Sequence, residues 1–128
     1  MVICLETLEH TMYPRRVINE IKRVAKKNAT FFLSMPNEYN FLQRIYYLFG
    51  IKTLVDEPFE VVEKHLHIHK PRVKDIVNFF SEYFMIDDVD YVWESRHRNI
   101  LDRLFQSLAR IKPSMFCRLV SVKARNKE

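Results

Sequence analysis

Residues 1–36 read MVICLETLEHTMYPRRVINEIKRVAKKNATFFLSMP, and the architecture follows from how this run is parsed. Residues 1–5 are an uninterrupted apolar run with β-branched members, the pattern of a strand covered on both faces. Residues 6–11 turn polar, and Pro14 stands where the first turn of a helix tolerates a missing N–H. From there Val17, Ile18, Ile21, Val24 and Ala25 recur at helical spacing and form one apolar stripe. Lys22, Arg23, Lys26 and Lys27 sit at the end where the helix dipole favours cations. Asn28 is placed to take a left-handed helix-ending position, and residues 29–35 read as a second buried strand stopped by Pro36. Strand, helix and strand with short connections predict a βαβ unit: two parallel strands and a right-handed crossover.

Working outward, Phe41, Leu42, Ile45, Leu48 and Phe49 make a second stripe within residues 37–49, with Gly50 as its C-terminal stop. Residues 51–69 read as irregular and carry His65, His67 and His69 in alternation. Pro71 opens a helix with Val73, Ile76, Val77, Phe80 and Tyr83 on its stripe. Residues 85–93 alternate through Val89, Tyr91 and Trp93 as a strand, and residues 99–111 are an amphipathic helix. After Pro113, residues 116–124 alternate as a half-exposed or edge-adjacent strand. The expectation is a single α/β domain over residues 1–128, with no repeat and no linker.

Composition bounds the function. The chain has 128 residues, 48% hydrophobic and 29% charged, an ordinary globular balance. Its 21 Lys plus Arg against 16 Asp plus Glu give +5, but the basic residues are scattered, the densest groups being Lys26-Lys27 and Arg96-His97-Arg98. Nucleic acid is therefore not the expected partner. There is no apolar run of membrane-spanning length and no signal-peptide layout, and Cys4 and Cys117 read as two reduced core thiols. These features lead to the expectation of a cytoplasmic protein. One glycine, Gly50, is present where average usage of about 7% would give roughly nine. A GxGxxG or GxxxxGK[ST] cradle is excluded, since each needs several Cβ-free positions.

In an open α/β sheet, ligands bind outside the carboxyl ends of the strands. After Leu5 stand Glu6, Glu9 and His10; after Met35 stand Pro36, Asn37, Glu38 and Tyr39. Polar density at these two places is what a site would look like. The alternative reading is that Glu9 caps the next helix and His10 is a solvated loop residue. The aromatic run Tyr39, Phe41, Tyr46, Tyr47 and Phe49 reads either as a lid over an acceptor or as a helix packing on the core. His65, His67 and His69 lie on one side of an extended segment, compatible with metal binding or with a solvated strand. Ser34 has no evident triad partner.

The runs VICLETLEHTMYP, RRVINEIKRVAK, NATFFLSMPN, HLHIHKPRVKDIVNFFSEY and FCRLVSVKA resemble the second half of a class I S-adenosylmethionine-dependent methyltransferase. Leu8-Glu9-His10, Arg23-Val24-Ala25-Lys26 and Ser34-Met35-Pro36-Asn37 match family patterns in order and spacing. Lys27-Asn28 replaces the family's Gly-Gly, a departure in turn chemistry. The resemblance implies a partial Rossmann-like sheet of about four strands with the last antiparallel, lacking the first three strands and the glycine-rich loop. It implies S-adenosylmethionine as cofactor, with Leu5 and Glu6 forming the methionine-side wall. It also implies His10 as base and a small-molecule acceptor held by Asn37, Tyr39 and His67, with residues 37–69 as acceptor-side insertion or lid. Glu6-Thr7-Leu8-Glu9-His10 further resembles the E-x-x-E-H magnesium motif of ubiquinone-pathway O-methyltransferases and small-RNA 2′-O-methyltransferases. That implies Mg2+ on Glu6, Glu9 and His10, with His65 or His67 completing the shell, beside the reading of helix-capping or substrate-wall roles. A second reading is a non-catalytic half-domain, in which the apolar strand Val2–Leu5 is an unpaired edge that recruits a second copy or a partner chain.

Overall fold

The computed structural model describes residues 1–51, 67–93 and 99–127. It is a mixed α/β fold with a four-stranded mixed sheet and five α-helices among these residues. The elements are β1 (Val2–Leu5), a 3-10 turn at Leu8–His10, α1 (Pro14–Val24), β2 (Thr30–Pro36), α2 (Phe41–Leu48), α3 (Val73–Tyr83), β3 (Phe84–Val92), α4 (Ile100–Ile111), α5 (Pro113–Phe116) and β4 (Leu119–Asn126). None of the described helices is long and apolar enough to cross a membrane.

The strand order is β1-β2-β4-β3, with β1 parallel to β2 and β4 antiparallel to both its neighbours. The closing strand thus inserts between β2 and β3. As the alternation predicts, β4 is an edge-adjacent strand beside the edge strand β3, with Val120, Val122 and Ala124 fully buried and Lys123 exposed between them. Its start moves, because Pro113 initiates the short α5, which takes up Phe116.

The register defines two faces. Val2 and Cys4 lie beside Phe31 and Leu33, which lie beside Ala124 and Val122. This face packs into one cluster with Ile18 of α1 and with Ile76 and Phe80 of α3. Phe31 and Phe84 close the cluster with ring centroids 4.6 Å apart. On the opposite face Ile3 and Leu5 are 58% and 50% exposed. The expectation that β1 is covered on both faces is therefore overturned: it is an edge strand with one covered face.

The two sheet edges differ. At β3, a register shift between Ile86 and Asp88 leaves Asp87 to form an ion pair with Arg125 at 2.6 Å. The Gln106 amide then donates to the Tyr91 carbonyl and accepts from Trp93 N–H, both at 2.9 Å, in place of a neighbouring strand. Charge, bulge and side-chain cover are the usual protections of an edge. The β1 edge, Val2–Leu5, carries no charged residue and no bulge.

Helix ends are set locally. The carboxyl end of α2 forms a Schellman motif, with Gly50 at φ 65, its N–H on Tyr47 O at 3.2 Å and Ile51 N–H on Tyr46 O at 2.9 Å. The single glycine of the chain is spent on the one described turn of this kind. Asn28 does not play that part for α1. Its φ is not positive; α1 ends at Val24, and Ala29 N–H closes a turn on Lys26 O at 2.9 Å.

Candidate functional site

The site is built where β1 and β2 end. Glu6 has φ 46, an uncommon backbone for a residue with a Cβ. Its N–H is anchored to the Ser34 carbonyl and Ser34 Oγ, each at 3.2 Å. This reversal starts the 3-10 turn, in which Leu8 and Glu9 are buried and His10 faces outward. Glu9 does not cap α1, whose N-cap is Tyr13 without a side-chain hydrogen bond.

The segment after the irregular region docks onto this turn. The N–H groups of Ile68 and His69 both donate to the Glu9 carbonyl, at 2.9 and 3.1 Å, and His69 Nε2 donates to the Thr11 carbonyl at 2.9 Å. His67 is thereby brought to His10, with ring centroids 4.7 Å apart and planes at 71°. From the end of β2, the Glu38 carboxylate accepts from His67 Nδ1. That hydrogen bond raises the His67 imidazole above its ordinary value.

Three potential ligand atoms, one each from Glu9, His10 and His67, lie within 4.8 Å of one another. The Glu9 side chain is 0% exposed and neither carboxylate oxygen has a hydrogen-bond partner. Burial, above all, raises its pKa.

The residues expected from sequence are distributed unevenly. His10, Glu9 and His67 converge. Leu5 and Glu6 stand at the end of β1, exposed on the strand's open side, but Glu6 is not in the three-residue group. Asn37 is buried and committed to the fold: Nδ2 donates to Cys117 O at 2.8 Å and Oδ1 accepts from Tyr39 N–H at 3.2 Å. Tyr39 is half-buried, its ring 6.3 Å from that of Tyr47. His65 lies outside the described residues. Glu38 had no assigned role, although it stands in the polar run after β2 that position alone marked as site-like.

The implied cofactors fit unequally. Leu5 and Glu6 are accessible, as a cofactor wall requires, and the chain has no glycine-rich loop to complete it. Mg2+ fits poorly: it prefers an octahedral shell of oxygens, whereas the group that assembles has one carboxylate and two imidazoles. No family model matches the chain, and a search of curated proteins finds no match.

Proposed function

We propose that the chain is the acceptor-side portion of an S-adenosylmethionine-dependent methyltransferase acting on a small molecule. The observation that carries this reading is that His10 and Glu38, from the carboxyl ends of two parallel strands, converge on His67. That is where an α/β sheet binds ligands. The closing antiparallel strand implied by the resemblance supports it.

Methyl transfer requires chiefly that acceptor and sulfonium be held in line, with a base where the acceptor carries a proton. S-adenosylmethionine, when bound, supplies the electrophilic methyl group. Leu5 and Glu6 form the wall on its methionine side. His10 is exposed and free to receive the acceptor's proton on a ring nitrogen. Glu38 fixes the His67 ring, and His67 in turn limits the orientations open to His10. Tyr39 lies on the acceptor side, while Asn37 holds the turn that presents Glu38.

The test is a titration of the full, isotopically labelled chain with S-adenosylhomocysteine, followed by amide chemical shifts. Weak but saturable shifts confined to residues 5–10 and 37–39 are the expected result. Absence of shifts, or shifts located elsewhere, would overturn the reading.

A second reading is favoured by the unprotected β1 edge: a partner-binding module that extends its sheet through Val2–Leu5, most simply with a second copy. Sedimentation of the chain over a range of concentrations tests it. Concentration-dependent dimers support it, and a monomer throughout refutes it.

A further inference from the structure

We infer that the outward face of α4 is a docking surface for an anionic lipid bilayer, with the helix lying in the interface and not spanning it. This surface draws on none of the residues assigned to methyl transfer.

Spacing comes first. At about 3.6 residues per turn, α4 (Ile100–Ile111) divides into two faces. Phe105, Gln106 and Ala109 face the rest of the molecule. Phe105 stacks on Trp93 with ring centroids 4.5 Å apart, Gln106 bonds to Tyr91 and Trp93, and Ala109 is fully buried. Ile100, Leu101, Leu104 and Ile111 lie on the other face and are between 54% and 84% exposed. The helix is thus apolar on the side turned to solvent, the reverse of an ordinary surface helix. Single exposed apolar residues are common on proteins; four on one stripe mark a contact surface.

Charge selects the occupant. Arg103 and Arg110 run along one flank of the stripe, two turns apart, and Lys112 stands at its carboxyl end. All three are exposed, and none forms an ion pair among the described residues. Asp102, the single acid of α4, is engaged in the cap at the opposite end, where it accepts from Asn99 N–H at 3.0 Å. An apolar stripe with cations at its margin and no acid on it complements anionic headgroups above acyl chains. The stems of arginine and lysine lie along the apolar layer while their charged heads stay among the headgroups.

Composition separates lipid from a protein partner. The exposed stripe is Ile and Leu throughout, while the nearby aromatics Trp93, Phe105 and Phe116 are engaged with one another. Protein interfaces draw most of their energy from Trp, Tyr and Arg seated in pockets, and Leu is under-represented among such anchors. A convex aliphatic stripe without an aromatic anchor suits acyl chains, which conform to the surface they meet. The 12 residues of α4 give a length of about 18 Å, short of the ~30 Å of bilayer hydrocarbon, so the helix lies along the surface.

The test is flotation of the full chain with vesicles of phosphatidylcholine, alone or with one third phosphatidylglycerol, in a density gradient that leaves aggregates at the bottom. Co-flotation with the anionic vesicles is expected, weaker with phosphatidylcholine alone and weaker at high salt. Arg103→Gln and Arg110→Gln each reduce binding to the anionic vesicles by roughly fivefold. Leu104→Glu combined with Ile111→Glu abolishes co-flotation while the far-ultraviolet circular dichroism is retained, since both side chains already stand in solvent. Ile3→Lys, on the β1 edge, leaves co-flotation unchanged. No co-flotation of the folded chain, equal co-flotation with both vesicle types, co-flotation that survives the paired glutamates, or its loss with Ile3→Lys would each overturn the inference. A dimer that the paired glutamates dissociate, without vesicle binding, would overturn it in favour of a second copy on this face. None of these outcomes bears on the S-adenosylhomocysteine response of residues 5–10 and 37–39, so failure here is separable from failure of the methyl-transfer reading.

Discussion

The side-chain amide of Asn37 donates to the main-chain carbonyl of Cys117 at 2.8 Å, across 80 positions of sequence. The Asn37 N–H meets the Arg118 carbonyl at 2.8 Å, and the Asn37 carbonyl accepts from Asn40 Nδ2 at 3.2 Å. The end of β2 is thus tied to the entry of β4, and α2 is started from the same turn by the Asn40 cap.

Asn37→Ala leaves the buried Cys117 carbonyl without its partner. The expected loss is about 1–3 kcal/mol of folding stability, measured by urea denaturation. Unchanged stability would mean that the junction is held elsewhere.

Glu6 is held at φ 46. A left-handed backbone costs a residue with a Cβ roughly 1–2 kcal/mol that glycine does not incur. Glu6→Gly is therefore expected to raise stability by about 1 kcal/mol, less the added entropy of the unfolded chain. If Glu6 walls the cofactor, the same variant weakens the S-adenosylhomocysteine response. A more stable variant with an unchanged response would remove Glu6 from the site.

Cys117 is fully buried, and its Sγ donates to the Leu119 carbonyl at 3.0 Å. Burial pushes the thiol from 9.0 up to about 11. Because the folded value is the higher one, the unfolded chain loses this proton first. The thiol's contribution to stability is complete below pH 9.0 and is lost as pH rises toward about 11. Denaturation midpoints for the parent and Cys117→Ala should converge over that interval. In the native state a thiol reagent at mildly alkaline pH modifies the half-buried Cys4 well before Cys117. Equal rates would contradict the assigned burial.

Ile3 lies on the open face of the unprotected edge. Ile3→Lys adds the charge that natural edge strands use against pairing, at a position already 58% exposed. The expectation is a lowered tendency to self-associate in sedimentation with stability within about 0.5 kcal/mol of the parent.

Much of this fold is legible in local pattern. The stripe Val17, Ile18 and Ile21 predicts α1, and the alternation at Val120 and Val122 predicts β4, because 3.6- and 2-residue periods are properties of short segments. How many faces of a strand are covered is not such a property. Residues 1–5 look the same whether one face or two are covered, so β1 was expected to be covered on both faces and is found with Ile3 and Leu5 exposed on one. β4 was expected to be half-exposed or edge-adjacent, and it lies beside the edge strand β3.

The site divides in the same way. Position after a strand marks Glu9, His10 and Glu38 from sequence alone. Their joining through His67 depends on the Ile68 and His69 N–H groups reaching the Glu9 carbonyl, a contact between segments nearly 60 positions apart. No local spacing encodes it. The burial of Glu9 belongs to that docking, which is why a helix-capping Glu9 beside a solvated His10 was an equally good reading beforehand.

Residues at the end of β1 are proposed as the wall of a methyl-donor site. Photo-cross-linking of the full chain with S-adenosylmethionine labelled in its methyl group, followed by trypsin cleavage, tests it most directly. Label is expected in the peptide of residues 1–15, competed by S-adenosylhomocysteine. Label confined to other peptides, or labelling of this one that the competitor does not reduce, would contradict it.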